Sequence, residues 1–205
     1  MRFLPQLFDN NRAWARRQVE REPDFFSRLG QGQDPDFLWI GCSDSRVPAN
    51  IIVGLPPGDV FVHRNVGNLV PDDDRNSQSV LQYAVDRLRV RHIILCGHER
   101  CGGVLAALGE VQPEPLEGWV SGIRRVADAH RAELDTLPAL ESRWRRLCEL
   151  NVEAQVAALR RNRILCAAWG RGQALVVHGW IFDVESGLLR DLGVSADRPL
   201  DDAGG

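Results

Sequence analysis

No lysine occurs in the 205 residues; all 25 basic side chains other than histidine are arginines. They are scattered along the chain, so the bias reads as compositional. With a formal net charge of −3 there is no basic surface to suggest a nucleic-acid or anionic-membrane partner. Long apolar runs are missing too. None approaches the roughly 18–20 residues that span a bilayer, and the stretch from Met1 to Asn10 lacks the apolar core of a signal peptide. Both absences point to the cytoplasm. No internal repeat, low-complexity tract or interdomain linker is present, which leaves a single domain over 1–205, long enough for a real core. The five cysteines are too few and odd in number for a disulfide framework, and metal or core roles are expected of them.

What is present is an alternation of strand and helix signals. Short apolar runs at Phe37–Cys42, Val60–Val62, His92–Gly97 and Ala174–Phe182 read as buried strands. Between them, Leu81, Ala84, Val85 and Leu88 give one apolar helical face, and the acids at 72–74 suit the entry to that helix. A helix is expected from Cys101 to Leu108, ended by Gly109, and a longer one is striped by Leu147, Leu150, Ala154 and Ala157. Pro113 and Pro115 punctuate a loop, and Ser186-Gly187 reads as a hairpin turn into Leu188–Leu192. The class is therefore α/β with a mainly parallel central sheet flanked by helices. Residues 1–30 read as an N-terminal helical arm with a thin apolar stripe, suited to packing on a second subunit. The tail at 200–205 is expected to fray.

Two segments carry chemistry, each at the C-terminal end of an expected strand, where open parallel sheets build their sites. One is Cys42-Ser43-Asp44-Ser45-Arg46; the other runs from Cys96 through His98 to Cys101-Gly102. A His-x-x-Cys pair alone is weak. Cys42 on a neighbouring strand completes a Cys-His-Cys set, and thiolate with imidazole suits Zn²⁺. Structural zinc sites close with four ligands, whereas three leave a position for water. Cys96, Cys148 and Cys166 are expected to be buried small hydrophobes. Asp44 and Arg46 form either a surface ion pair of little worth or a working dyad. In the dyad, Asp44 accepts a hydrogen bond from the water, and Arg46 keeps the carboxylate ionised and off the metal.

These residues resemble the β-carbonic anhydrases, through Cys42-x-Asp44-x-Arg46, His98-x-x-Cys101 and further runs at 61–70, 82–88, 148–156 and 178–192. The resemblance implies the β-carbonic anhydrase fold and one zinc ion per chain, held by Cys42, His98 and Cys101. The implied reaction is reversible hydration of CO2 to bicarbonate and a proton by zinc-bound hydroxide, making the chain a lyase. It also implies a substrate pocket at Gln33, Phe61, Val66, Tyr83 and Gly102, formed between subunits of a homodimer or dimer of dimers. A bacterial subgroup has a second, non-catalytic bicarbonate pocket that favours an inhibited site with Asp44 on zinc. Trp39 and Arg64 match two of its residues, and Phe182 stands where a Tyr is usual. For Trp39 and Arg64 the alternative is core packing and an internal ion pair. Glu99-Arg100 departs from the family pattern, and Arg100 is expected to reach solvent. Other readings are a carbonyl sulfide or carbon disulfide hydrolase on the same fold, or a catalytically silent zinc protein that senses bicarbonate.

Overall fold

The computed structural model describes residues 4–200. Its elements in chain order are α1 (Pro5–Arg21), α2 (Phe25–Leu29), β1 (Phe37–Cys42), α3 (Ala49–Ile52), β2 (Val60–Asn65), α4 (Arg75–Gln82) continued by a π-helical segment (Tyr83–Leu88), β3 (His92–His98), α5 (Gly102–Leu108), α6 (Leu116–Ala129), α7 (Arg131–Asp135), α8 (Leu140–Arg161), α9 (Arg163–Gly170), β4 (Val176–Phe182) and β5 (Leu189–Asp191). The chain divides into two units at residues 34 and 35. In the first, α1 buries none of its residues, and Trp14, Phe25 and Phe26 pack edge to face. The tail expected to fray lies outside the described residues, apart from Leu200.

The second unit is built on one five-stranded sheet, ordered β2-β1-β3-β4-β5. The first four strands are parallel and β5 is antiparallel. β1 reads as a continuous apolar run because both of its faces are buried. Leu38 and Ile40 join the larger core with α8 and α5, whereas Trp39 faces a smaller cluster with Ile94, Cys96 and Phe182. On the larger side, α8 lies close against β3 and β4. A Cβ at Gly97 would stand 2.6 Å from Val152, and one at Gly179 would stand 3.1 Å from Val156. Glycine at these two positions is what lets the helix approach.

Four expectations are corrected. The second strand continues through His63, Arg64 and Asn65; polar residues hid it, and their side chains are engaged at the strand's end. Two helices, α6 and α7, follow the Pro113–Pro115 loop where none was expected, because α6 buries only Val120 and Ile123. Cys166 lies in α9 and is only half-buried, its thiol on the Arg160 carbonyl. The long helix is also rotated from its expected stripe: its buried face is Leu147, Cys148, Leu150, Asn151, Val152, Val156 and Leu159, with Ala154 and Ala157 at the margin.

The helix entry at the acidic run has a definite cause. Asp74 caps α4 by accepting from the backbone N–H groups of Asn76 and Ser77, at 3.2 and 3.0 Å. Asp74→Ala should lower unfolding stability by about 0.5–2 kcal/mol, read from urea midpoints, while leaving the Cys-His-Cys cluster intact.

Candidate metal centre

Parallel pairing brings the chemistry together. β1 and β3 are adjacent, with Gly41 opposite Cys96, so Cys42 and His98 emerge side by side at the same end of the sheet. The chain then turns through Glu99 and Arg100, and Cys101 occupies the N-cap of α5. The three ligand atoms lie within 4.8 Å of one another, and all three residues are buried.

The donor set fits zinc. Two Zn–S bonds of about 2.3 Å at the tetrahedral angle put the sulfurs about 3.8 Å apart, and Cys42 and Cys101 Sγ are 3.8 Å apart. His98 Nδ1 lies 2.8 Å from the Glu99 carbonyl, to which it donates. That bond fixes the tautomer and leaves the Nε2 lone pair free. Nε2 is buried without a hydrogen-bond partner, a costly state for a polar atom that a metal ion relieves.

Without a cation the thiols divide their protons unequally. Cys42 is drawn down to about 4, first because the Cys101 thiol donates to it, with help from His98 and the N–H groups of Gly67 and Asp44. Cys101 is pushed up as that donor, by burial, and by the charge on Cys42. The Gly67 amide is itself held in place. Asn151 donates to the Gly67 carbonyl at 2.9 Å, and Trp119 donates to the Val66 carbonyl at 2.7 Å.

Asp44 and Arg46 form a two-pronged pair. Arg46 Nε meets Oδ1 at 2.9 Å and Nη2 meets Oδ2 at 2.7 Å. These bonds hold the carboxyl well below the usual carboxylate range, against its partial burial. Oδ2 also faces the Cys42, His98 and Cys101 cluster, 3.7 Å from His98 Nε2. Arg64 donates through Nε to the Cys42 carbonyl at 2.9 Å and through Nη2 to the Asp44 carbonyl. It thus braces the strand end that carries the first ligand.

The remaining expected site residues are more dispersed. Phe61 and Tyr83 bring their rings to 5.7 Å. Tyr83 and Val66 are exposed, and Gly102 opens α5 beside Cys101. Gln33 belongs to the N-terminal unit. Trp39 and Phe182 share the smaller packed cluster. Cys96 and Cys148 are buried, as expected of core thiols. Spacing did not reveal the anchors from α8: Trp144 Nε1 donates to the Cys101 carbonyl at 2.8 Å, and Arg145 pairs with Glu99 at 2.6 Å.

Comparison with known proteins agrees with this geometry. A family model described as carbonic anhydrase matches residues 37–189. A carbonic anhydrase of Emericella nidulans is 44% identical over 197 residues, covering 94% of this chain and 86% of that protein. One from Pseudomonas aeruginosa is 35% identical, covering 95% and 90%. Among solved structures, a Coccomyxa β-carbonic anhydrase in complex with acetazolamide superposes with a TM-score of 0.93 at 40% identity, over 97% of this chain and 90% of that one. A tetrameric β-carbonic anhydrase from Sordaria macrospora gives 0.88 at 42% identity, over 93% and 97%.

Proposed function

The chain belongs to the β-carbonic anhydrase family and is a carbonic anhydrase, and from that premise we propose that Cys42, His98 and Cys101 hold one zinc ion at which CO2 is reversibly hydrated to bicarbonate and a proton. The observation that carries this reading is the buried, unpartnered His98 Nε2 facing two sulfurs at the spacing a tetrahedral ion requires. Zinc bound there supplies a Lewis acid with a coordination position left over to acidify water.

The chain's own groups do the rest. The N–H groups of Gly67 and Asp44 hydrogen-bond the Cys42 sulfur, which draws electron density from the thiolate and favours the ionised ligand. Asp44, kept ionised by Arg46, is an acceptor only. It accepts the proton side of the attacking water and turns its lone pair toward the carbon. Arg46, with both oxygens engaged, holds that carboxylate back from the ligand cluster. Phe61, Val66, Tyr83 and Gly102 offer a lining for CO2, and Gln33 is assigned to that pocket by the family resemblance alone.

The exposure of Tyr83 and Val66, and of Leu7 and Phe8 on α1, supports a homodimer or dimer of dimers that covers these surfaces. The arm 1–30 would then lie on the partner. Among the described residues no helix is long and apolar enough to cross a membrane, and we assign the enzyme to the cytoplasm. At the Trp39, Arg64 and Phe182 positions, the contacts favour bracing and packing over a bicarbonate pocket. Arg64 is engaged by two carbonyls, and Phe182 has no hydroxyl.

Two thiolates cancel the formal charge of the ion, so water there is acidified less than the value of about 7 reached in a three-histidine site. Turnover should therefore rise from neutral toward alkaline pH. Stopped-flow CO2 hydration from pH 6 to 9, run beside carbonyl sulfide hydrolysis and a metal analysis, tests the reading. One zinc per chain and an alkaline-rising CO2 rate support it. A flat profile contradicts the ligand-charge argument, and turnover confined to carbonyl sulfide overturns the substrate.

A further inference from the structure

Arg100 stands between two metal ligands, in a backbone conformation its side chain disfavours. Its φ is 55°, in the left-handed region that costs a residue with a Cβ. Strain of this kind persists only where surrounding contacts overdetermine it. Here the guanidinium is held from two elements, by Glu185 at 2.9 Å beyond β4 and by Glu141 at 3.2 Å in the first turn of α8. The neighbours are pinned as well. Glu99 is tied to Arg145 and, through its N–H, to the Phe182 carbonyl; Cys101 is tied to Trp144.

The left-handed turn has a consequence at the dyad. It brings the Arg100 carbonyl to 3.2 Å from Arg46 Nη2, the same nitrogen that donates to Asp44 Oδ2 at 2.7 Å. One guanidinium nitrogen is therefore bracketed by a carboxylate and a carbonyl. We propose that Arg100 is a positioning residue for the Asp44–Arg46 pair, acting through its backbone. Its left-handed carbonyl locks the Arg46 guanidinium in the orientation that keeps Asp44 off the metal cluster, and Glu141 and Glu185 offset the strain. The inference rests on the carbonic anhydrase reading. It identifies the departure Glu99-Arg100 as part of the site, rather than a side chain that merely reaches solvent.

Because the claim concerns the backbone, glycine and a β-branched residue have opposite expected effects. Arg100→Gly loses the side-chain anchors but enters the left-handed region freely; Arg100→Val resists it. Both variants and the parent are measured as zinc enzymes for CO2 hydration, and as Co²⁺-substituted proteins for the spectral change on adding azide, which needs an open coordination position. The expected result is that R100G stays within about threefold of the parent in kcat/KM and keeps the azide response. R100V should retain its metal, fall by about tenfold or more, and lose the azide response as Asp44 takes the position. If R100V does not fold, Arg100→Ala, also disfavoured in the left-handed region, is read by the same criteria. The proposal is overturned by R100V matching the parent, by R100G falling as far as R100V, or by lost turnover with the azide response intact. A parent that holds no zinc and hydrates no CO2 brings down the functional reading and this inference together.

Discussion

Cys42→Ala is expected to yield a folded chain that no longer retains the zinc proposed for the Cys42, His98 and Cys101 cluster and that hydrates CO2 at little above the background rate. The expectation follows from the ligand count. With three protein ligands the loss of one leaves two, and the other cysteines serve as core or helix thiols: Cys96 is in the smaller core, Cys148 is buried in the larger one, and Cys166 is on the Arg160 carbonyl. Loss of a supporting outer-shell contact already costs about 10–100-fold in metal affinity, so loss of a ligand should exceed about 100-fold. Removing Cys42 also takes away the hydrogen-bond partner of the Cys101 thiol and leaves His98 Nε2 buried without metal.

The effect should reach stability. A ligand that binds only the folded state at 1,000 times its Kd adds about 4 kcal/mol, so chelation should lower the parent's Tm and leave that of Cys42→Ala unchanged. Acid should act in the same direction, because protons compete with a metal ion for the Cys42 and Cys101 sulfurs. Cys166→Ala serves as the control and should keep a full complement of zinc. A Cys42→Ala preparation with one zinc per chain and parental turnover would end the case for the cluster.

The second large effect separates binding from turnover. Asp44→Asn should hold one zinc per chain yet lose about 10²-fold or more in kcat/KM, the scale of a positioned proton-accepting group. Asparagine fills the same space but can present an NH2 where the carboxylate presents only acceptors. It also leaves Arg46 without its ionic partner. Arg46 is half-exposed, so water screens the unpaired charge and folding should change little. Asp44→Ala should behave alike. Because Asp44 is held well below the usual carboxylate range by Arg46, it stays ionised from pH 6 to 9. Its stabilising contribution is present above the unfolded carboxylate value and is lost only as the pH falls through the folded one. The alkaline rise in turnover therefore does not come from Asp44, and Asp44→Asn should show the same rise at a lower level. Parental CO2 hydration by Asp44→Ala would remove the carboxylate from the mechanism.

Particular elements show how much of this was legible in advance. β1 and β3 stand out because strands buried on both faces are unbroken apolar runs, and the candidate ligands Cys42 and His98 stand at their ends. β2 was read short because its last three residues are polar, and their roles depend on partners in other elements: Arg64 on the carbonyls of Cys42 and Asp44, Asn65 on Leu69. Helix α6 was hidden behind two prolines and a sparse buried stripe. The Glu141 and Glu185 grip on Arg100 had no local signature, since the two acids stand 41 and 85 residues along the chain from it.

By itself, the amino-acid sequence determined the strand–helix alternation and pointed to the candidate ligands Cys42, His98 and Cys101 and to the Asp44 and Arg46 pair, because each lies in a short segment whose apolar run or residue spacing is local. The tertiary structure alone decided that two sulfurs 59 residues apart come to 3.8 Å. It also decided that Trp144 and Asn151 hold the backbone of Cys101 and Gly67, 43 and 84 residues away, and that the Arg100 carbonyl meets Arg46. These distances follow from which strands are neighbours and how closely α8 can press on Gly97 and Gly179. Strand order and helix approach are set by the burial of many side chains at once, a property that no single stretch of chain carries.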